Sequence, residues 1–384
     1  MRRTEHERGG PLTRNLQWWL HHVTHEGNHD NVLRWLLFKL RGSKFSMRVA
    51  MIAVTVTLVN ALTAENLNRA DVSIRYFVGV NACICLQLMF INREDLLRRW
   101  LGLVIVHAHS AETDPATDDE FMALLARRAR KGRFMRWFFV VHATATEVTF
   151  VYTLSIWAPT WLQQGIGNKE IWKEWMRWTV LTLQAYGLLA GLASVYTFLP
   201  LVLQITMASA DLMYILGKKL EVCRCSRTIA ATESALISAC LLSDECVSDV
   251  IAPVIFASLL MPLISLVQAL SGVVDSLDAL GTAPLFITIT VPLYLAGDML
   301  ASARQGIADS AARGPWLEEE PWQRRMRAAV MLGASGEGAL PRCQGLGKLN
   351  RRGLLHVLQS WFSFLQAMLN LRKGVKVTAS RNNS

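Results

Sequence analysis

Gly353–Leu371, reading GLLHVLQSWFSFLQAMLNL, decides how this chain is read. Arg351 and Arg352 precede it, Arg372 and Lys373 follow it, and between those pairs no residue carries a fixed charge. At about 1.5 Å of rise per residue, a helix of this length matches the ~30 Å hydrocarbon core of a bilayer. Its polar residues, His356, Gln359, Ser360, Ser363, Gln366 and Asn370, recur every three or four positions and so form one stripe. Leu354, Val357, Trp361, Phe364, Leu365 and Met368 fall on the opposite face. Lipid cannot satisfy a polar stripe, so it must face protein or water. Two readings fit: hydrogen bonding between helices inside a bundle, or the lining of a pore that solvates a passing cation weakly enough to release it.

The composition points the same way. Of 384 residues, 52% are hydrophobic and 18% charged, and the mean hydropathy is +0.26, far from an ordinary soluble domain. The net charge of +10 does not mark a nucleic-acid binder. Its basic residues avoid the apolar runs and gather on alternate sides of them. Met1–Lys44 has no apolar stretch followed by a small-residue cleavage site, so the first span is expected to act as an uncleaved signal anchor.

Seven spans are expected: roughly Arg48–Ala64, Ser73–Asn92, Met135–Ala158, Trp178–Ala208, Val250–Ser271, Leu280–Ala301 and Gly353–Leu371. Pro253, Pro262, Pro284 and Pro292 predict kinks in the fifth and sixth. Of the 40 Lys and Arg residues, 31 fall in segments on one side: the N-terminus to Arg48, Arg93–Arg136, Asp211–Ser248 and Arg304–Arg352. That side is expected to be cytosolic, which puts the N-terminus inside and the C-terminus outside. A G-protein-coupled receptor has the opposite orientation, and its Asn-Pro-x-x-Tyr motif is missing from the last span. Asp211–Ser248 is expected to prolong spans four and five below the membrane. In Arg304–Arg352, Trp316 and Trp322 flank the acidic turn Leu317–Pro321, and a basic amphipathic helix begins near Trp322. The seven cysteines suggest no disulfide framework, since two lie in a span and five in or beside cytosolic segments.

The last hundred residues resemble the insect odorant receptors. That family's sixth span ends in Gly-Asn and a small polar run, followed by a helix leading to an isolated Trp. Here Leu295–Leu300, Ala301–Arg313 and Trp316 take those places. Arg324–Arg327, a Gly-containing break at Gly345–Asn350, and Ser360-Trp361-Phe362-Ser363-Phe364 follow in the family's order. Asp298 stands where Asn is usual and Trp361 where Tyr is usual, with one residue inserted before Ser363. The run Gly333–Gly338, GASGEG, weakens the penultimate helix by about 1 kcal/mol per Gly.

The resemblance implies an all-α polytopic membrane protein of inverted topology. It implies a subunit of an odorant-gated, non-selective cation channel of four chains, working with an obligatory co-receptor of the same fold, in the plasma membrane of olfactory neurons. The partners implied are that co-receptor, a small volatile odorant and membrane lipid. The segments are then 1–47 cytosolic, 48–301 the first six spans with the pocket, 302–352 the cytosolic anchor, 353–372 the pore helix and 373–384 an outer tail. The pocket implied lies among spans two, three, four and six, in the outer half of the membrane. Tyr76, Phe77, Phe150, Tyr152, Tyr186 and Phe286 are its candidate ligand contacts, being aromatic groups with few hydroxyls.

In the last helix Gln359, Ser363 and Gln366 are candidate pore-facing residues, and Leu365, Met368 or Leu369 the apolar constriction. Glu147, inside span three, is either a functional carboxylate or a protonated group bonded to a neighbouring helix. His142 and Asp298, both nearer the cytosolic end, read as structural. No phosphate loop, zinc motif or nucleophile set appears, so no enzyme activity, cofactor or metal is expected. A gustatory-type receptor, a transporter of small hydrophobic molecules and a non-signalling copy are the competing readings. The gustatory Thr-Tyr-x5-Gln-Phe ending does not match, and no internal repeat of the transporter kind is visible.

Overall fold

The computed structural model describes residues 9–23, 40, 43–62, 67–114, 118–156, 170–270, 284–335, 342–343 and 347–382. Apolar runs of bilayer length bounded by charge fold as long helices, because only a helix satisfies its backbone within one segment in lipid. In chain order these are α1 Pro11–Val23, α2 Lys44–Leu62, α3 Leu67–Asn92, α4 Glu94–Thr113, α5 Asp119–Ile156, α6 Glu170–Val222, α7 Arg227–Leu270, α8 Val291–Arg313, α9 Pro321–Ser335 and α10 Arg351–Asn382. The one ladder among the described residues pairs Arg342 with Lys348 and Cys343 with Gly347, just before α10. The all-α class expected from the sequence is the class found.

Among the described residues, four helices are long and apolar enough to cross a membrane: Ser73–Asn92, Glu174–Val222, Arg227–Leu270 and Phe286–Arg313. Two of these far exceed the ~20 residues a bilayer needs, so α6 and α7 project beyond it. α6 is the hub, packing against α2, α3, α5 and α8. α7 runs on through Pro253 and Pro262. At Pro292 the missing N–H removes one rung of the helical ladder, and the preceding turn, Phe286–Thr290, widens to a π-helix.

Two helices were not anticipated. The sequence places Arg93–Arg136 in a cytosolic segment and the first 47 residues in another, yet α4 and α1 form there and pack together. α1 buries Leu12, Leu16, Trp19 and Val23. Its first-turn amides, left without helical partners, donate to the Glu112 carboxylate of α4, Leu12 at 2.7 Å and Thr13 at 3.1 Å. The Trp19 indole donates to Gln204 on α6 at 2.7 Å, and the Arg136 guanidinium lies 4.0 Å above the Trp18 ring.

Toward the C-terminal ends of α6 and α8, α9 packs on α7 and α8. It continues through Gly333 to Ser335, so the first part of the GASGEG run is helical; positions 336–338 lie outside the described residues. Its key group is Arg327, which is wholly buried. The guanidinium meets Glu319 at 2.5–3.0 Å. It also donates to the carbonyls of Leu220 at 2.6 Å, Cys223 at 2.8 Å and Ala311 at 3.4 Å. Leu220 and Ala311 lie in the last turns of α6 and α8, where carbonyls have no helical donor. One side chain thus closes two helix ends.

Candidate functional site

Where α3, α5, α6 and α7 converge inside the bundle, small residues leave a cavity of ≈ 50 Å³. Gly79, Ala82 and Cys83 face it from α3, and Thr146 from α5. Leu188, Leu192, Val195 and Tyr196 contribute from α6, and Val254, Ser258 and Met261 from α7. Leu285 and Ile289, at the π-helical segment, complete the wall. The close fit around it depends on glycine: a Cβ at Gly191 would lie 2.5 Å from the Cys83 Cβ.

The polar members of the wall bond to residues just behind it. The Tyr196 hydroxyl meets Nδ1 of His142, and the Thr146 hydroxyl donates to the His142 carbonyl at 2.9 Å. Across the cavity the Ser258 hydroxyl donates to the Ile255 carbonyl at 2.8 Å and lies 2.7 Å from the Thr290 hydroxyl.

The aromatic residues singled out from the sequence lie around this cavity rather than on its wall. Tyr76 is buried one turn from Gly79, and its hydroxyl donates to the Gln184 carbonyl. Phe77 is half-buried. Tyr186 sits 3.1 Å from the Ser46 hydroxyl and edge-on to Phe45. Phe286 turns from the cavity and stacks on Trp361 of α10, with centroids 5.9 Å apart and planes at 14°. Phe150 and Tyr152 belong to α5, but their side chains lie outside the described residues. Glu147 is half-buried on the same helix, with Oε2 enclosed and unpartnered among the described residues. The wall residues are mostly aliphatic or small, and such side chains do not stand out from ordinary helix packing in a sequence. Gly79 and Cys83, one helical turn apart, were the available signal.

α10 packs against α7 and α8. Val357 is buried, and the Trp361 indole donates to the Leu259 carbonyl of α7 at 2.9 Å. Asp298 of α8 fixes its first residue, accepting the Arg351 amide at 3.3 Å and pairing with the guanidinium at 2.8 Å. All six stripe residues, His356, Gln359, Ser360, Ser363, Gln366 and Asn370, are exposed, so the stripe turns away from the chain's own helices. Leu365, Met368 and Leu369 are half-buried beside it. Phe364, on the face opposite the stripe, is exposed.

The path of the chain is similar to that of the insect olfactory receptor OR5 from Machilis hrabei, with a TM-score of 0.69 over 94% of this chain and 97% of that one, at 10% identity. The chain has the fold of an insect olfactory receptor. The same receptor in complex with eugenol gives a TM-score of 0.67 over 94% and 97% of the two chains, at 12% identity. No family model matches this sequence, and no curated protein does. With four helices of membrane-crossing length and composition, the receptor fold makes this a multi-pass membrane protein.

Proposed function

We propose that the chain is a ligand-binding odorant receptor subunit: an odorant-gated cation channel subunit that acts with a co-receptor in the plasma membrane of olfactory neurons. In this reading α2, α3, α5, α6, α7, the π-helical segment with α8, and α10 are the seven spans, with the N-terminus in the cytosol. The observation that carries it is the continuity between cavity and last helix. Leu285 and Ile289 touch the cavity, while Phe286 between them stacks on Trp361 of α10. A ligand that spreads the wall therefore pushes the segment against which α10 rests. The exposed polar stripe of α10 supplies the water-facing surface a pore needs. The complex of OR5 with eugenol supports a small volatile ligand.

The test is whole-cell current with and without the co-receptor during exposure to an odorant panel. A cation-carrying current that needs both chains is expected; current unchanged when this chain is omitted refutes the reading. Two variants sharpen it. Gln366→Ala removes one uncharged polar group from the stripe and should change relative cation permeability while leaving odorant potency unchanged. Trp361→Leu removes the stack on Phe286 and should shift half-activating odorant concentration upward by about tenfold, within the usual 1–3 kcal/mol of coupling between sites. Equal dose–response curves for Trp361→Leu and the parent would remove the stack from gating.

A further inference from the structure

The hydroxyl protons on the cavity wall are already engaged. Tyr196, Thr146 and Ser258 are its hydroxyl residues, and each is more than nine-tenths buried. Thr146 gives its proton to the His142 carbonyl and Ser258 gives its own to the Ile255 carbonyl. With Ser258 so engaged, the short contact between Ser258 and Thr290 is made by the Thr290 proton. With the ring proton of neutral His142 on Nε2, Nδ1 is left as an acceptor for the Tyr196 phenol. Tyr196 therefore donates. What the described wall keeps for a guest is oxygen lone pairs, carbon, and the sulfurs of Cys83 and Met261, of which only the Cys83 thiol is a donor and a weak one.

We infer that this cavity favours small ligands that donate one hydroxyl proton, alcohols or phenols, over ketones, ethers and esters of the same skeleton, with the Tyr196–Thr146 corner as acceptor. This inference rests on the odorant-receptor reading and deepens it. A carbonyl guest meets no hydroxyl donor, only the weak thiol of Cys83, so it gives up its hydrogen bonds to water with little replacement. A hydroxyl guest offers its proton to the Tyr196 or Thr146 oxygen. A hydrocarbon guest loses nothing and gains burial alone. Room for any of them comes from Met261, whose unbranched thioether lies over Gly79, 3.1 Å from where a Cβ would stand.

Cyclohexanol, cyclohexanone and methylcyclohexane have the same number of heavy atoms and one ring each, so they differ in hydrogen bonding alone. Apparent affinity is read from the ligand-dependent rise in thermal stability of the purified full-length chain. Cyclohexanol should bind about tenfold more tightly than cyclohexanone, the factor one unmet buried acceptor commands. In Tyr196→Phe and Thr146→Val together, cyclohexanol should fall to the level of methylcyclohexane while methylcyclohexane keeps its own shift, which shows the variant is folded. Equal binding of alcohol and ketone, preference for the ketone, or no stabilisation by any of the three overturns the inference. The readout is binding, so a chain that selects the alcohol yet carries no current refutes the channel reading and leaves the selectivity standing.

Discussion

Arg327→Ala should cost about 3–5 kcal/mol and leave little folded chain, because it strips the partner from a carboxylate with no exposed side-chain surface. Glu319 would keep only the Cys225 amide, at 2.5 Å. The Leu220 carbonyl at the end of α6 would lose this donor, and the Ala311 carbonyl of α8 would keep only the Gly314 amide at 3.4 Å. Arg327→Lys should not rescue, since a single ammonium cannot reach three carbonyls and a carboxylate in one plane. Arg327→Leu with Glu319→Leu should recover much of the loss, since removing both charges removes the desolvation penalty. Thermal unfolding in detergent and the surface-labelled fraction measure all three. A double variant no better than Arg327→Ala would show that the carbonyl bonds, not the charge pair, hold the corner.

The same corner has a pH signature. Burial raises the Glu319 carboxyl, but the hydrogen bonds from Arg327 and the Cys225 amide outweigh it and leave it below the ordinary carboxylate range. A depressed carboxyl adds stability above its unfolded value and loses it as pH falls through the folded one. The parent should therefore weaken on acidification below about pH 4.5 more steeply than the double leucine variant. Gly314 guards the pair: a Cβ there would stand 1.8 Å from Arg327 Nη1 and 2.7 Å from the Leu220 oxygen. Gly314→Ala should reproduce much of the Arg327→Ala loss.

Much of the architecture was legible because lipid constrains sequence so strongly: long apolar runs separated by basic segments become long helices. The stripe of α10 was legible for the same reason, and its six polar residues lie together on the exposed face. The α1–α4 pair carried a signal that the membrane pattern outweighed, since Leu12, Leu16, Trp19 and Val23 have helical spacing. The cavity was another matter. Tyr76, Phe77, Tyr186 and Phe286 are bulky groups at the depth expected of a pocket, but where a void forms depends on how several helices pack together. That property belongs to no single helix. Arg327 was hidden in another way, as one of three arginines within four residues of a basic amphipathic helix. Its burial depends on carbonyls more than a hundred residues earlier in the chain.

Gly297→Val should leave the chain at the cell surface and raise the half-activating odorant concentration about tenfold or more, since coupling free energies between sites run to about 1–3 kcal/mol. A Cβ at Gly297 would lie 2.3 Å from the Leu349 oxygen and 2.8 Å from its Cβ, and backbone cannot yield as a side chain can. Leu349 is buried, and two residues later Arg351 is tied to Asp298 by amide and guanidinium alike. The Asn350 side chain then accepts the Gly353 amide at 2.8 Å, capping the first turn of α10. The base of α10 is therefore seated directly on the α8 backbone, about two turns beyond the π-helical segment that touches the cavity. A larger residue at 297 lifts the seat while leaving cavity and stripe intact. Gly306→Ala, on the same helix with nothing within 4 Å of its Cβ, is the control and should gate normally. If Gly297→Val matches that control in potency and maximal current, the transmission from α8 to the pore helix does not pass through this contact, and the Phe286–Trp361 stack must carry it alone.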